Sequence, residues 1–161
     1  MPKTHPDLSE SSGGSYVEFA QALRRISAKP EQDVPELFRR MVFNLVVGNS
    51  DDHIKNHGVL HQGHGFWCLS PAFDLVAQLG IHAGYQGLAI LPGQHASRLA
   101  AARDAAPHFG FSPARADELI RHIADTVATE AHASVRASGG SVALAKRLGT
   151  FIARQADRIA V

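Results

Sequence analysis

Apolar residues recur at helical spacing over much of this chain, and the clearest run lies between Val34 and Val47. Val34, Leu37, Phe38, Met41, Val42, Leu45 and Val46 follow the i, i+3, i+4, i+7 pattern of one buried helix face. Phe43 and Val47 fall off that face, so the C-terminal half is apolar nearly all round and is expected deep in the core. Asp33 with Glu36 three residues on reads as the capping box, Pro35 is tolerated in the first turn, and Gly48 ends the helix. An earlier helix over roughly 16–28 opens at Ser15, with Glu18 completing its box. Its stripe of Val17, Ala20, Leu23 and Ile26 is modest.

Beyond Asn56 the segments 57–61 and 66–69 are short and apolar-rich around Gln62-Gly63-His64-Gly65, which predicts a β-hairpin with a four-residue loop. Ser70-Pro71 stops the second strand. The stretch 79–95 is rich in Gly and His and offers only a short strand over 87–91. The rest is helical: 97–105, closed by Pro107, then a longer helix with Ser112 as N-cap and Pro113 at its first position. Ala116, Leu119, Ile120, Ile123, Val127 and Ala131 face inward on it. Ser138-Gly139-Gly140 makes a turn, and Ser141 caps a last helix carrying Val142, Leu144, Ala145, Leu148, Ile152 and Ile159. Residues 1–14 are polar and read as a flexible lead-in; 15–161 read as one mainly α domain with a small β-hairpin.

A length of 161 residues with 45% apolar content suits a single domain with a real core. The formal net charge of +1 leaves no electrostatic footprint for nucleic acid or an anionic membrane. Cys68 is the sole cysteine, which excludes an internal disulfide and suits a reducing compartment. The N-terminal stretch is too polar for a signal peptide, and no apolar run approaches the ~20 residues of a membrane span. A cytoplasmic protein without direct nucleic-acid or membrane binding is expected.

The candidate chemistry sits just after the most apolar helix. Asp51 is followed five residues later by Asn56, and Asp74 stands beyond the hairpin. Phosphoryl transfer to a hydroxyl needs a carboxylate to orient the nucleophile and oxygen ligands to hold Mg²⁺ against phosphates. Asp51, Asn56 and Asp74 suit base, metal ligand and metal ligand, in that order. The plainer alternatives are a solvated turn at Asp51-Asp52, a left-handed turn residue at Asn56 and a helix cap at Asp74. His53, His57, His61 and His64 have a spacing that would line one face of a helix and could hold Zn²⁺. Gly58, Gly63, Gly65 and the Val59-Leu60 strand signal favour a hairpin instead, on which those side chains diverge. Cys68, among Phe66, Trp67 and Leu69, reads as packed rather than reactive.

The run FNLVVGNSDDHIKNH, followed by GFWCLSPAFDL, resembles the C-terminal lobe of HipA-like serine/threonine kinases, the toxins of bacterial toxin–antitoxin pairs. The shared pattern is an Asn-x-Asp-[Asp/Gly]-His-x-Lys-Asn loop and a hairpin ending in Leu-[Ser/Thr]-Pro ahead of an Asp. Gly13-Gly14 and the later HFGFSPARADELI also look like that lobe, so the resemblance runs from about residue 12 onward. It implies a helical kinase-like lobe in which Asp51 is the catalytic base and Asn56 and Asp74 are Mg²⁺ ligands. It also implies that His53, Lys55 and Phe73 lie near the ATP phosphates or line the site. A protein Ser/Thr substrate and an antitoxin partner come with it.

One departure matters. The sequence has no G-x-G-x-x-G loop, and no strand-borne Lys in its first 40 residues; Lys3 and Lys29 fall in a tail and at a helix end. The chain therefore reads as the catalytic-loop lobe of a kinase whose nucleotide lobe is supplied elsewhere. The alternative is a catalytically silent remnant or interaction module that binds an antitoxin or a separate nucleotide lobe. A metal-dependent hydrolase using the same carboxylates is a weaker third reading.

Overall fold

Helix α2, Pro30–Val47, is the element against which the others pack. The computed structural model describes residues 14–78 and 84–157. Within them α1 (Tyr16–Ile26) lies on α2, followed by a hairpin of β1 (Val59–Gly63) and β2 (Phe66–Leu69). Then come α3 (Leu99–Ala105), α4 (Pro113–Ala137) and α5 (Val142–Asp157). The fold is mainly α with one small antiparallel sheet, as the apolar pattern implies. Leu37, Phe38, Met41 and Val42 on α2 are fully buried against Leu23 of α1, Phe109, and Ala116 and Ile120 of α4. No helix among the described residues is long and apolar enough to cross a membrane.

Several boundaries follow their local chemistry. Ser15 caps α1 by accepting the Glu18 N–H at 3.2 Å, while its hydroxyl donates to the Glu18 carboxylate at 2.8 Å. Gly48 closes α2 in the left-handed conformation, φ 69°. A Cβ at Gly48 would stand 2.6 Å from the Phe151 ring, so the glycine also admits α5 to this end of α2. Ser112 and Ser141 cap α4 and α5 through the N–H groups of Arg115 and Leu144.

Other boundaries differ from the sequence expectation. The capping box at Asp33 and Glu36 is not formed, because α2 starts earlier at Pro30, whose fixed φ suits a first helical position. Asp33 is thereby carried inside the helix and buried. The hairpin loop is two residues, not four: His64 (φ 51°) and Gly65 (φ 80°) both take positive φ, the requirement of a type I′ turn, and Gly63 pairs with Phe66. His57 and Gly58 stay outside the sheet, after a single 3₁₀ turn over Ile54–Asn56. The strand expected over 87–91 is reduced to isolated bridges, Ala89 with Ser15 and Leu91 with Gln94. Residues 1–13 of the expected lead-in, residues 79–83 of the Gly- and His-rich stretch, and Ile159 lie outside the described residues.

Candidate active site

The loop that leaves α2 is held from beneath by polar side chains inside the core. Asn44 sits on the last turns of α2 with no exposure, where a purely apolar helix would place another aliphatic. Its amide donates to the Tyr16 hydroxyl at 3.1 Å, and its carbonyl oxygen accepts from Asn49 at 3.1 Å. The Asn49 amide also reaches the main-chain carbonyl of Asp74 at 3.4 Å. The Gln78 N–H donates to Val47 at 3.3 Å, and Ser50 donates to the Gln78 side chain. The chain after the hairpin therefore runs alongside 47–50, and Asp74 is tied to a residue two places ahead of Asp51.

Asp51 and Asp74 both expose their side chains. Asp74 takes a positive φ of 55°, uncommon outside glycine and more readily adopted by Asp and Asn than by bulkier residues. It caps no helix, since 75–78 are not helical. Asn56 closes the 3₁₀ turn, is 8% exposed, and is not in the left-handed region. Its Nδ2 donates to the Asp51 carbonyl at 3.2 Å. A carbonyl can only accept, so this bond fixes which end of the Asn56 amide faces the loop and leaves Oδ1 free for another partner.

Of the residues assigned by resemblance, His53 and Lys55 are exposed on the loop, at the start and middle of the 3₁₀ turn. Phe73 is 45% exposed and lies over Gly58, where a Cβ would stand 3.5 Å from its ring. The histidines diverge: His57 turns into the core against Asp52, whereas His61 packs edge-on against Trp67. Among the described residues no three His, Cys, Asp or Glu side chains are grouped to hold a metal ion. Cys68 is buried, and accepts from the Gln62 amide at 3.0 Å.

Asp52 is the residue that the sequence reading undervalued. A solvated turn was one reading of Asp51-Asp52, yet the Asp52 side chain is 1% exposed. Its carboxylate accepts from the Tyr16 hydroxyl, from His57 Nε2 at 2.9 Å and from Gln86 Nε2 at 2.9 Å. An ionised carboxylate only accepts, so His57 must carry its proton on Nε2 here. Burial, and after it the adjacent Asp52 carboxylate, push the Tyr16 hydroxyl well above its ordinary value of 10.0. Asn44, a polar residue within MVFNLVV, was the one legible signal of this network. Tyr16 and Gln86 carried none, since their contacts with Asp52 span 36 and 34 positions of sequence.

Comparison with known proteins bears on the family of the chain. The HipA-like C-terminal domain family matches residues 3–131. A Sinorhizobium fredii protein named "Putative kinase Y4mE" is 41% identical over 68 residues, 42% of this chain and 16% of that protein. A second from the same organism, "Putative kinase Y4dM", is 28% identical over 88 residues, 55% of this chain and 22% of its own length. The alignments thus cover less than a quarter of either relative. The chain belongs to the HipA-like C-terminal domain family and is a kinase-like domain.

Proposed function

We infer that this domain is the catalytic-loop lobe of an ATP- and Mg²⁺-dependent serine/threonine protein kinase of the toxin–antitoxin type. The observation that carries the reading is the Asn56 amide: its NH₂ is committed to the Asp51 carbonyl, so its oxygen is the end left to a cation. Asp74, exposed and tied through Asn49 to the same loop, offers a second hard oxygen donor. Carboxylate and amide oxygens, with no sulfur or imidazole required, suit Mg²⁺. When bound, Mg²⁺ would neutralise phosphate charge.

The chain's own residues supply the rest. Asp51, exposed at the start of the loop, would accept the proton of a substrate hydroxyl and orient its oxygen. Lys55 and His53, both exposed on the same turn, would approach phosphate oxygens, and Phe73 would offer an apolar wall over Gly58. ATP, a protein Ser/Thr substrate and an antitoxin or nucleotide-lobe partner belong to this reading, in a cytoplasmic setting.

Phosphate transfer from labelled ATP, with a nucleotide lobe supplied, tests it. Asp51→Ala is expected to lower the rate by about 10²–10⁴, the usual share of a positioned base. An Asp51→Ala protein as active as the parent would remove Asp51 from this role.

A further inference from the structure

Asp51 and Asp52 are adjacent, yet one side chain is exposed and the other is almost wholly buried. The backbone around them explains the division. Gly87 N–H donates to the Ser50 carbonyl at 3.0 Å, and Leu88 N–H donates to the Asp52 carbonyl. The Ser50 and Asp52 carbonyls are thus held by two consecutive amides, with Ser50 and Asp52 buried and Asp51 exposed in the turn between them. Only glycine permits the approach, because a Cβ at Gly87 would stand 2.7 Å from the Asp52 carbonyl oxygen and 3.1 Å from that of Ser50.

The Asp52 carboxylate sits where three otherwise separate parts of the chain meet. Tyr16 comes from the first turn of α1, His57 follows the 3₁₀ turn that ends in Asn56, and Gln86 precedes Gly87. A buried carboxylate with three donors is satisfied; the same donors around an apolar or amide side chain would be left short of acceptors.

We propose that Asp52 is a positioning residue, whose buried carboxylate, bonded by Tyr16, His57 and Gln86, locks the 50–56 loop so that Asp51 faces outward and the Asn56 oxygen is free. The role acts through Asp51 and Asn56 and rests on the reading of those two as base and metal ligand. Asp52 itself is 1% exposed and acts only through its neighbours. Through His57 it fixes the chain just after Asn56, and through Gln86 it holds the Gly87-Leu88 amides against the loop on its other side.

The test uses the 161-residue chain, with amide hydrogen exchange and Mg²⁺ titration followed by NMR. In folded Asp52→Asn, protection of the Gly87 and Leu88 amides is expected to fall about tenfold relative to Met41 in α2, a local rather than global opening. The Mg²⁺ concentration needed to half-shift the Asn56 side-chain amide should rise about threefold, since a ligand held in one of several conformers binds more weakly. Unchanged loop protection overturns the proposal. So does a loss shared equally by Met41, which marks general stabilisation. Should Asp52→Asn lose its helical circular dichroism, Tyr16→Phe decides: it removes one donor, and it must still loosen Gly87 and Leu88 selectively. A parent chain whose Asn56 and Asp74 resonances ignore Mg²⁺ overturns the metal reading instead, while the exchange at Gly87 and Leu88 still decides whether Asp52 holds the loop.

Discussion

The Asp33 carboxylate accepts the Leu69 N–H at 2.9 Å, joining the first turns of α2 to the end of the hairpin across 36 positions of sequence. The same oxygen accepts the Ser27 hydroxyl at 2.7 Å, so one buried side chain fastens the α1–α2 turn, α2 and β2 together. Ala28 adds a backbone bond to the Trp67 carbonyl at 2.8 Å beside it. Five residues beyond Leu69 stands Asp74, and the seat of the hairpin on α2 therefore sets where that carboxylate can lie.

Removing this acceptor leaves two buried donors unpaired. Asp33→Ala is expected to cost about 2–4 kcal/mol, the penalty of stranded buried hydrogen-bonding groups. Urea unfolding measures it. A cost under about 0.5 kcal/mol, the range of an ordinary surface change, would mean that Ser27 and Leu69 find water instead.

Gly87 meets backbone, which cannot swing aside as a flexible side chain can. Gly87→Ala should therefore destabilise by about 1–3 kcal/mol, as overpacking does, and loosen the 50–52 loop. Gly139, by contrast, has nothing within 4 Å of a built Cβ but takes φ 80°, so Gly139→Ala is strained by its backbone conformation alone. In Gly139→Ala the amides of Gly87 and Leu88 should exchange as in the parent. Equal loosening of both variants would argue against the close approach at Gly87.

Stability should also fall at alkaline pH through Tyr16. Its folded pKa is raised above the ordinary 10.0, chiefly by burial. Below about pH 10 tyrosine is neutral in folded and unfolded chains alike, and the contribution is fully present. Above that, the unfolded chain releases the proton while the folded one retains it, so stability declines as pH rises toward the folded pKa. Unfolding free energies at about pH 9 and pH 11 should drop more steeply for the parent than for Tyr16→Phe. Identical slopes would show that Tyr16 ionises freely in the native state.

Nucleotide affinity of this chain should be low. On the proposed reading the cation would have only the exposed Asp74 and the largely buried Asn56 amide to hold it, and Mg²⁺ dehydrates reluctantly unless phosphates are clamped beside it. Calorimetry with Mg-ATP is expected to give a dissociation constant no tighter than about millimolar, roughly 4 kcal/mol. Micromolar binding would place the nucleotide site on residues other than those named here.

The features governed by short-range patterns were legible from the residues alone. The i, i+3, i+4, i+7 run identified α2 and its buried face, Ser15-x-x-Glu18 and Ser112-Pro113 marked two helix starts, and Gly48 marked an end, because each is satisfied within one turn. The loop motif and the family came from contiguous residues as well. Tertiary structure decided the rest. Asp33 left its capping role because Pro30 began the helix earlier and put its carboxylate within reach of Leu69. Asp52 became a buried hub because Tyr16 and Gln86, distant in sequence, were folded onto it. A carboxylate is tolerated in a core only where donors surround it, and which donors arrive is a property of the packed chain rather than of any local window.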